Sequence, residues 1–246
     1  MKKKLTVLFG LLFFFANSQR LQIKYDVQID MSGMSAKPFN HCYLLDHSNG
    51  TSLQKKFLKK ALPESVTDKN NSTSRIVKIG NDTTYVYKDF LKNSLYSEER
   101  IFTKTFLVAD QLNIFSWKIE EDTLTVLKHK CRKATTRFRG REYIAYFAED
   151  IPVAEGPGKF NGLPGLILKV MLVNSTAVFS AEAIELHLDS SIKDNLNPFA
   201  NQKLTSFKDF KKEYNRKYAE LESFSSEQSG GNASIKRGGL ELLSDD

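Results

Sequence analysis

Gly162-Leu163-Pro164-Gly165-Leu166-Ile167-Leu168-Lys169-Val170-Met171-Leu172-Val173 is the stretch on which the fold turns. Its opening residues read as a turn and the remainder as a strand. Turns ordinarily lie at the surface with polar side chains, because their backbone needs water. Here Leu163, Leu166 and Ile167 surround a Pro-Gly pair. Pro164 presets φ for position i+1 of a type II turn, and Gly165 suits the positive φ of position i+2. So apolar a turn is expected to fold inward, against a core or a partner. From Leu166 to Val173 apolar residues occupy both alternating sets, the pattern of a strand covered on both faces. This strand is expected at the centre of a sheet.

Outward from it, period two dominates. Ile23, Tyr25, Val27 and Ile29 predict one strand, and Tyr43 to Leu45 another, running into an Asn49-Gly50 turn. Residues 75–79 and 83–88 face each other across Gly80-Asn81-Asp82 as a hairpin. Further strands are expected at 101–108, 115–119, 123–127 and 177–186. Residues 134–138 and 141–147 form the clearest hairpin, joined at Arg139-Gly140. Residues 53–62 read equally well as helix or strand, and 64–74 as a polar loop. One docking helix is expected near the end. Ser206 and Asp209 resemble a capping box, and Phe207, Phe210, Tyr214, Tyr218 and Leu221 share one face. From Ser223 onward the chain is rich in Ser, Gly and charge and is expected to be disordered. The expectation is a mainly β protein: one domain at 19–222 with a curved antiparallel sheet, by analogy an open half-barrel, plus a C-terminal helix.

Residues 1–18 read as an export leader. Lys2, Lys3 and Lys4 precede the apolar run Leu5 to Phe15, and Ala16-Asn17-Ser18 supplies a small-x-small cleavage site. The run is shorter than the roughly 20 residues a membrane helix needs. No other segment reads as a transmembrane span. The formal charge of +7 falls to +4 once those three lysines are set aside. Basic residues are interspersed with acids, which argues against a nucleic-acid stripe.

The two cysteines, Cys42 and Cys131, predict one disulfide in an exported protein, or else two buried thiols. A further reading adds His129 to Cys42 and Cys131 as a zinc or copper site, although no C-x-x-C spacing occurs. No cofactor is expected.

Several segments resemble the GLPGLI family of exported Gram-negative proteins. They are Phe115-Ser116-Trp117-Lys118-Ile119, Cys131-Arg132-Lys133-Ala134, Phe138 to Tyr143, Glu149-Asp150-Ile151-Pro152, Gly156 to Phe160 and the hexapeptide Gly162 to Ile167. The resemblance covers about residues 100–175 in one order. It implies a β-rich domain in the periplasm or at the outer membrane, with no established enzymatic activity. By family association, it also implies an outer-membrane transport component as a partner.

No G-x-S-x-G, H-E-x-x-H or P-loop pattern occurs. Glu149 and Asp150 form a carboxylate pair that invites a hydrolase reading, against a plain turn-stabilising role. Arg137, Arg139 and Arg141, at every second position, suggest an anion contact or a solvated face. Trp117, Tyr143, Tyr146 and Phe147 are expected to accept Leu163 and Leu166, as a core or as an apolar groove. Together these readings favour a non-enzymatic envelope accessory protein that binds a protein or an apolar ligand. The alternatives are an envelope hydrolase and a metal binder.

Overall fold

The computed structural model describes residues 20–30, 39–58, 83–188, 197–229 and 241–243. The expected leader, the 64–74 loop, the strand and turn at 75–82 and most of the expected tail lie outside these residues.

Twelve strands precede one helix: β1 (Leu21–Asp30), β2 (Phe39–Ser48), β3 (Thr51–Leu58), β4 (Thr84–Asp89), β5 (Ser94–Ile101), β6 (Lys104–Gln111), β7 (Lys118–Val126), β8 (His129–Phe138), β9 (Arg141–Ala148), β10 (Leu166–Val173), β11 (Val178–Leu188), β12 (Thr205–Ser206) and α1 (Phe207–Ser229). They form a single sheet in the order β12-β6-β5-β4-β3-β2-β1-β11-β10-β9-β8-β7. Pairing is antiparallel except for the short β12, which runs parallel to β6. The protein is mainly β, with one curved sheet not closed into a barrel.

Chain connectivity demands the curvature. The first meander runs outward from β1 to β6, and the second returns from the opposite edge, β7, to β11 beside β1. Laid flat, ten strand spacings of about 4.8 Å would separate β6 from β7 by roughly 48 Å. The link from Gln111 to Lys118 reaches at most about 25 Å when fully extended. The sheet must therefore bow until its two edges approach each other.

Local chemistry sets the corners. Asn49 (φ 50°) and Gly50 (φ 75°) both enter the left-handed region between β2 and β3, as do Arg139 (φ 44°) and Gly140 (φ 76°) between β8 and β9. Leu127 and Lys128, at φ 48° and 71°, make the same kind of turn between β7 and β8 without a glycine. Residues 51–58 are a strand, which resolves the helix-or-strand ambiguity over that part. The two strands expected at 115–119 and 123–127 are one strand, β7, with a register break between Ile119 and Thr123. β10 pairs with both β9 and β11 and is buried at Leu166, Ile167, Leu168 and Val170.

At the N-terminus of α1 the Ser206 hydroxyl accepts the Asp209 N–H at 3.1 Å. Phe210 and Tyr214 are buried with Ile101 and Val108, and Phe207 and Tyr218 pack at the margin. Two stretches beyond residue 223 are described. The helix continues to Ser229, and Glu241 to Leu243 dock back on the sheet. Leu243 joins the apolar cluster under α1, and the Leu242 N–H donates to the Arg139 carbonyl at 2.9 Å.

Candidate functional site

The bowed sheet encloses the loop 149–165 that joins β9 to β10. Its interior is divided by chemistry. Strands β1, β2 and β8 to β11 contribute an apolar wall, including Tyr25, Leu45, Ala134, Tyr143, Phe147, Leu168 and Phe179. Ile151, Val153, Phe160 and Leu163 of the loop are buried in that wall. Phe160 lies at ring distances of 4.9 Å from Tyr143, 5.3 Å from Phe115 and 5.9 Å from Phe179. Leu163 is 1% exposed, and Leu166 and Ile167 are fully buried.

Strands β3 to β5 contribute a polar wall. Ser52, Gln54, Lys88 and Ser97 are buried there. These groups meet the loop's backbone, which a purely apolar lining would leave without partners. Lys88 donates to the carbonyls of Gly156 at 2.8 Å and Phe160 at 3.0 Å. Its third partner is the fully buried Glu155 carboxylate, which also accepts the Gly156 N–H at 2.8 Å. Gln54 accepts the Gly158 N–H at 2.7 Å. On the opposite side Trp117 donates to the Asn161 carbonyl at 2.8 Å, and the Tyr25 hydroxyl to the Ile167 carbonyl at 2.8 Å.

Glycine at the signature acts by close approach rather than by the expected type II geometry. Gly165 is not among the positive-φ glycines, whereas Gly162 has φ 88° and Gly158 has φ 62°. A Cβ on Gly165 would stand 2.2 Å from the Ala148 carbonyl oxygen, so only hydrogen fits. At Gly156 a Cβ would stand 2.9 Å from the Ile167 side chain.

Burial alone would raise the Glu155 carboxyl, but Lys88 and His47 together hold it down at about 2. His47 Nδ1 lies 3.5 Å from the second Glu155 oxygen. Lys88 is itself lowered by burial, against the attraction of Glu155. A carboxyl depressed in the folded state contributes stability above its unfolded pKa, and that stability is lost as pH falls toward the folded value. Stability is therefore expected to fall between pH 4.5 and about 2. In denaturant titrations across that window, Glu155→Gln should show a shallower acid slope than the parent. Equal slopes would assign the acid loss to other carboxylates.

A second charged group seals the gap between the sheet's edges. Arg139, at the β8–β9 turn, pairs with Asp110 of β6 and with Glu241, both at 2.6 Å. Lys159 pairs with Glu99 of β5 and with Glu241, both at 2.8 Å. The Arg139 guanidinium also lies 3.3 Å over the Phe207 ring. Burial opposes the Lys159 charge, but Glu241 and Glu99 outweigh it and raise its pKa.

The three arginines thus separate. Arg139 is structural. Arg137 is exposed, and Arg141 is 8% exposed. Arg137 and Arg141 line a cleft of ≈ 380 Å³ at the rim, with Glu142, Leu172, Asn174, Ser175 and Leu242 among its walls. Arg141 Nη1 donates to Ser175 Oγ at 3.2 Å, while its buried Nε has no acceptor. An unpaired buried donor of this kind costs about 1–3 kcal/mol.

Glu149 and Asp150 sit at an exposed turn, paired with Arg132 at 3.0 Å and His129 at 2.6 Å. Of the two cysteine readings, the structure has the free thiols: Cys42 on β2 and Cys131 on β8 are both buried and unbonded, with four strands between them in the sheet. That separation also breaks up the set Cys42, Cys131 and His129. No group of three metal-binding side chains occurs among the described residues. Burial raises the Cys131 thiol to about 11, so it stays protonated near neutral pH.

Lys88, Glu155 and Gln54 went unnoticed in the sequence, and His47 reads there as one of four singly scattered histidines with no common site. Ser52, Gln54 and Lys56 alternate with Leu53 and Phe57, which reads as a solvent face opposite a core face. The pattern supplies two faces but not which one points inward.

A family profile described as "Protein of unknown function (Porph_ging)" matches residues 137–169, from the β8–β9 turn to β10. No curated protein matches the chain. Among solved structures, PNGF-II in a P21 crystal form is similar at a TM-score of 0.50 and 16% identity, over 79% of this chain and 33% of that one. The chain thus spans about a third of PNGF-II, and at this identity the likeness shows the fold alone. A LolA superfamily protein from Nitrosomonas europaea is similar at a TM-score of 0.29 and 6% identity, over 76% of this chain and 91% of that one.

Proposed function

We propose that this chain is an exported, envelope-associated accessory protein of the GLPGLI type, acting by binding a partner protein rather than by catalysis. Residues 1–18 serve as its leader and residues from 19 onward as one domain, with the periplasm or the outer-membrane surface as its place of work. An outer-membrane transport component is the partner class that the family resemblance suggests.

One observation carries the choice of a protein over an apolar ligand. The apolar wall inside the sheet is covered by the chain's own Phe160 and Leu163. Binding then belongs to the outer surface and the rim. Lys88, Glu155, Lys159 and Glu241 are consumed in holding the loop and the seam, which supports a scaffold rather than a reaction centre. The test is chemical cross-linking in intact envelopes followed by capture of the chain through a C-terminal tag. Recovery of one envelope protein at constant stoichiometry is the expected result. Turnover of an envelope glycan or peptide by the purified chain, lost in a Glu149→Gln/Asp150→Asn variant of unchanged stability, would overturn it.

A further inference from the structure

Among the described buried arginines of the interior and rim, Arg141 has a guanidinium that is left partly unused. Arg139 and Lys159 each have two carboxylate partners, and Lys88 has three acceptors. Arg141 is more than nine-tenths buried, yet its recorded bond is the one from Nη1 to Ser175 Oγ. Its Nε–H points along the other edge of the guanidinium and has no acceptor. In arginine, Nε–H and the nearer Nη2–H are parallel donors on one edge, spaced for the two oxygens of a carboxylate. On that edge Nε–H has no acceptor, while Nη1 is pinned by Ser175.

The surroundings narrow the ligand. Arg137 stands exposed at the same cleft and adds a second cation. Leu172, Val173 and Leu242 supply apolar walls beside it. Glu142 also lines the cleft, with its carboxylate accepting from Asn174 Nδ2. That anion disfavours a dianionic phosphate more than a singly charged planar group. From these features we infer that the Arg141 cleft binds a peptide carboxylate flanked by an apolar side chain. This deepens the binding reading above, since it assigns the partner's contact a chemistry and a place.

The Arg141 edge can be followed directly in the full chain by its side-chain Nε–Hε resonance. The probe is N-acetyl-leucine, which joins a carboxylate to an apolar side chain. N-acetyl-leucinamide and inorganic phosphate are the controls. Saturable movement of the Arg141 Nε resonance with N-acetyl-leucine, and none with the amide, is expected. Arg141→Lys, which keeps the charge but loses the two-donor edge, should weaken the response about tenfold or more. Arg137→Gln should weaken it less. An unmoved Arg141 resonance, an equal response to the amide, or tighter binding of phosphate would each overturn the assignment. Retention of the captured envelope partner by Arg141→Lys would sink the cleft as its contact while leaving partner binding standing. Saturable binding of the acid with no envelope partner captured would do the reverse. A peptide series ending in a free acid or an amide, each with and without an internal Asp, separates a chain terminus from an acidic side chain.

Discussion

Lys88→Met should lower the unfolding free energy by about 3–5 kcal/mol, because removing one partner of a buried ion pair strands the other. Glu155 is fully buried, and would keep only the Gly156 N–H at 2.8 Å and His47 Nδ1 at 3.5 Å among the partners described above. The same change also frees the carbonyls of Gly156 and Phe160, which Lys88 now satisfies. Urea denaturation of the purified domain measures the loss. The double variant Lys88→Met/Glu155→Leu should recover part of it, since the charge left behind is then gone. A single-variant loss below about 1 kcal/mol would mean that water reaches Glu155, and the loop would not be fixed as described.

Leu163→Ala is expected to cost about 2–5 kcal/mol, the range for deleting a buried leucine side chain. Leu163 sits among the residues that also bury Phe160 and Phe147, and the surrounding sheet has little freedom to collapse on the void. Gly165→Ala should be destabilising by a different route, because its Cβ would strike the Ala148 carbonyl, a backbone atom that cannot swing aside. Both variants should still capture the envelope partner once folded below their lowered midpoints. A Leu163→Ala protein with parental stability but no partner capture would recast the hexapeptide as a contact surface. That outcome would refute the scaffold role argued here.

The two halves of the molecule were unequally legible. The hairpin about Arg139-Gly140, the Asn49-Gly50 corner and the Ser206 cap announce themselves through residues whose conformational preferences are local. The Leu127-Lys128 corner does not, since neither residue favours positive φ and the flanking pairing imposes it. The arginines at 137, 139 and 141 looked equivalent along the strand. The structure gives one to the seam, one to the surface and one to the floor of a cleft. The polar inner wall was the hardest to see. Serine, glutamine and lysine at alternate positions ordinarily mark water, and here they face a loop that needs hydrogen-bond donors and acceptors as water would supply them.

By itself, the order of residues determined β1, the β8–β9 hairpin, β10, the capped helix and an apolar hexapeptide unsuited to a surface, because these depend on neighbours a few positions apart. The tertiary structure decided which face turned inward, that Cys42 and Cys131 stay apart, and that Glu241 returns to bridge Arg139 and Lys159. Each of those outcomes depends on contacts across dozens of residues. Only the bowing of the open sheet around its own loop brings them within reach.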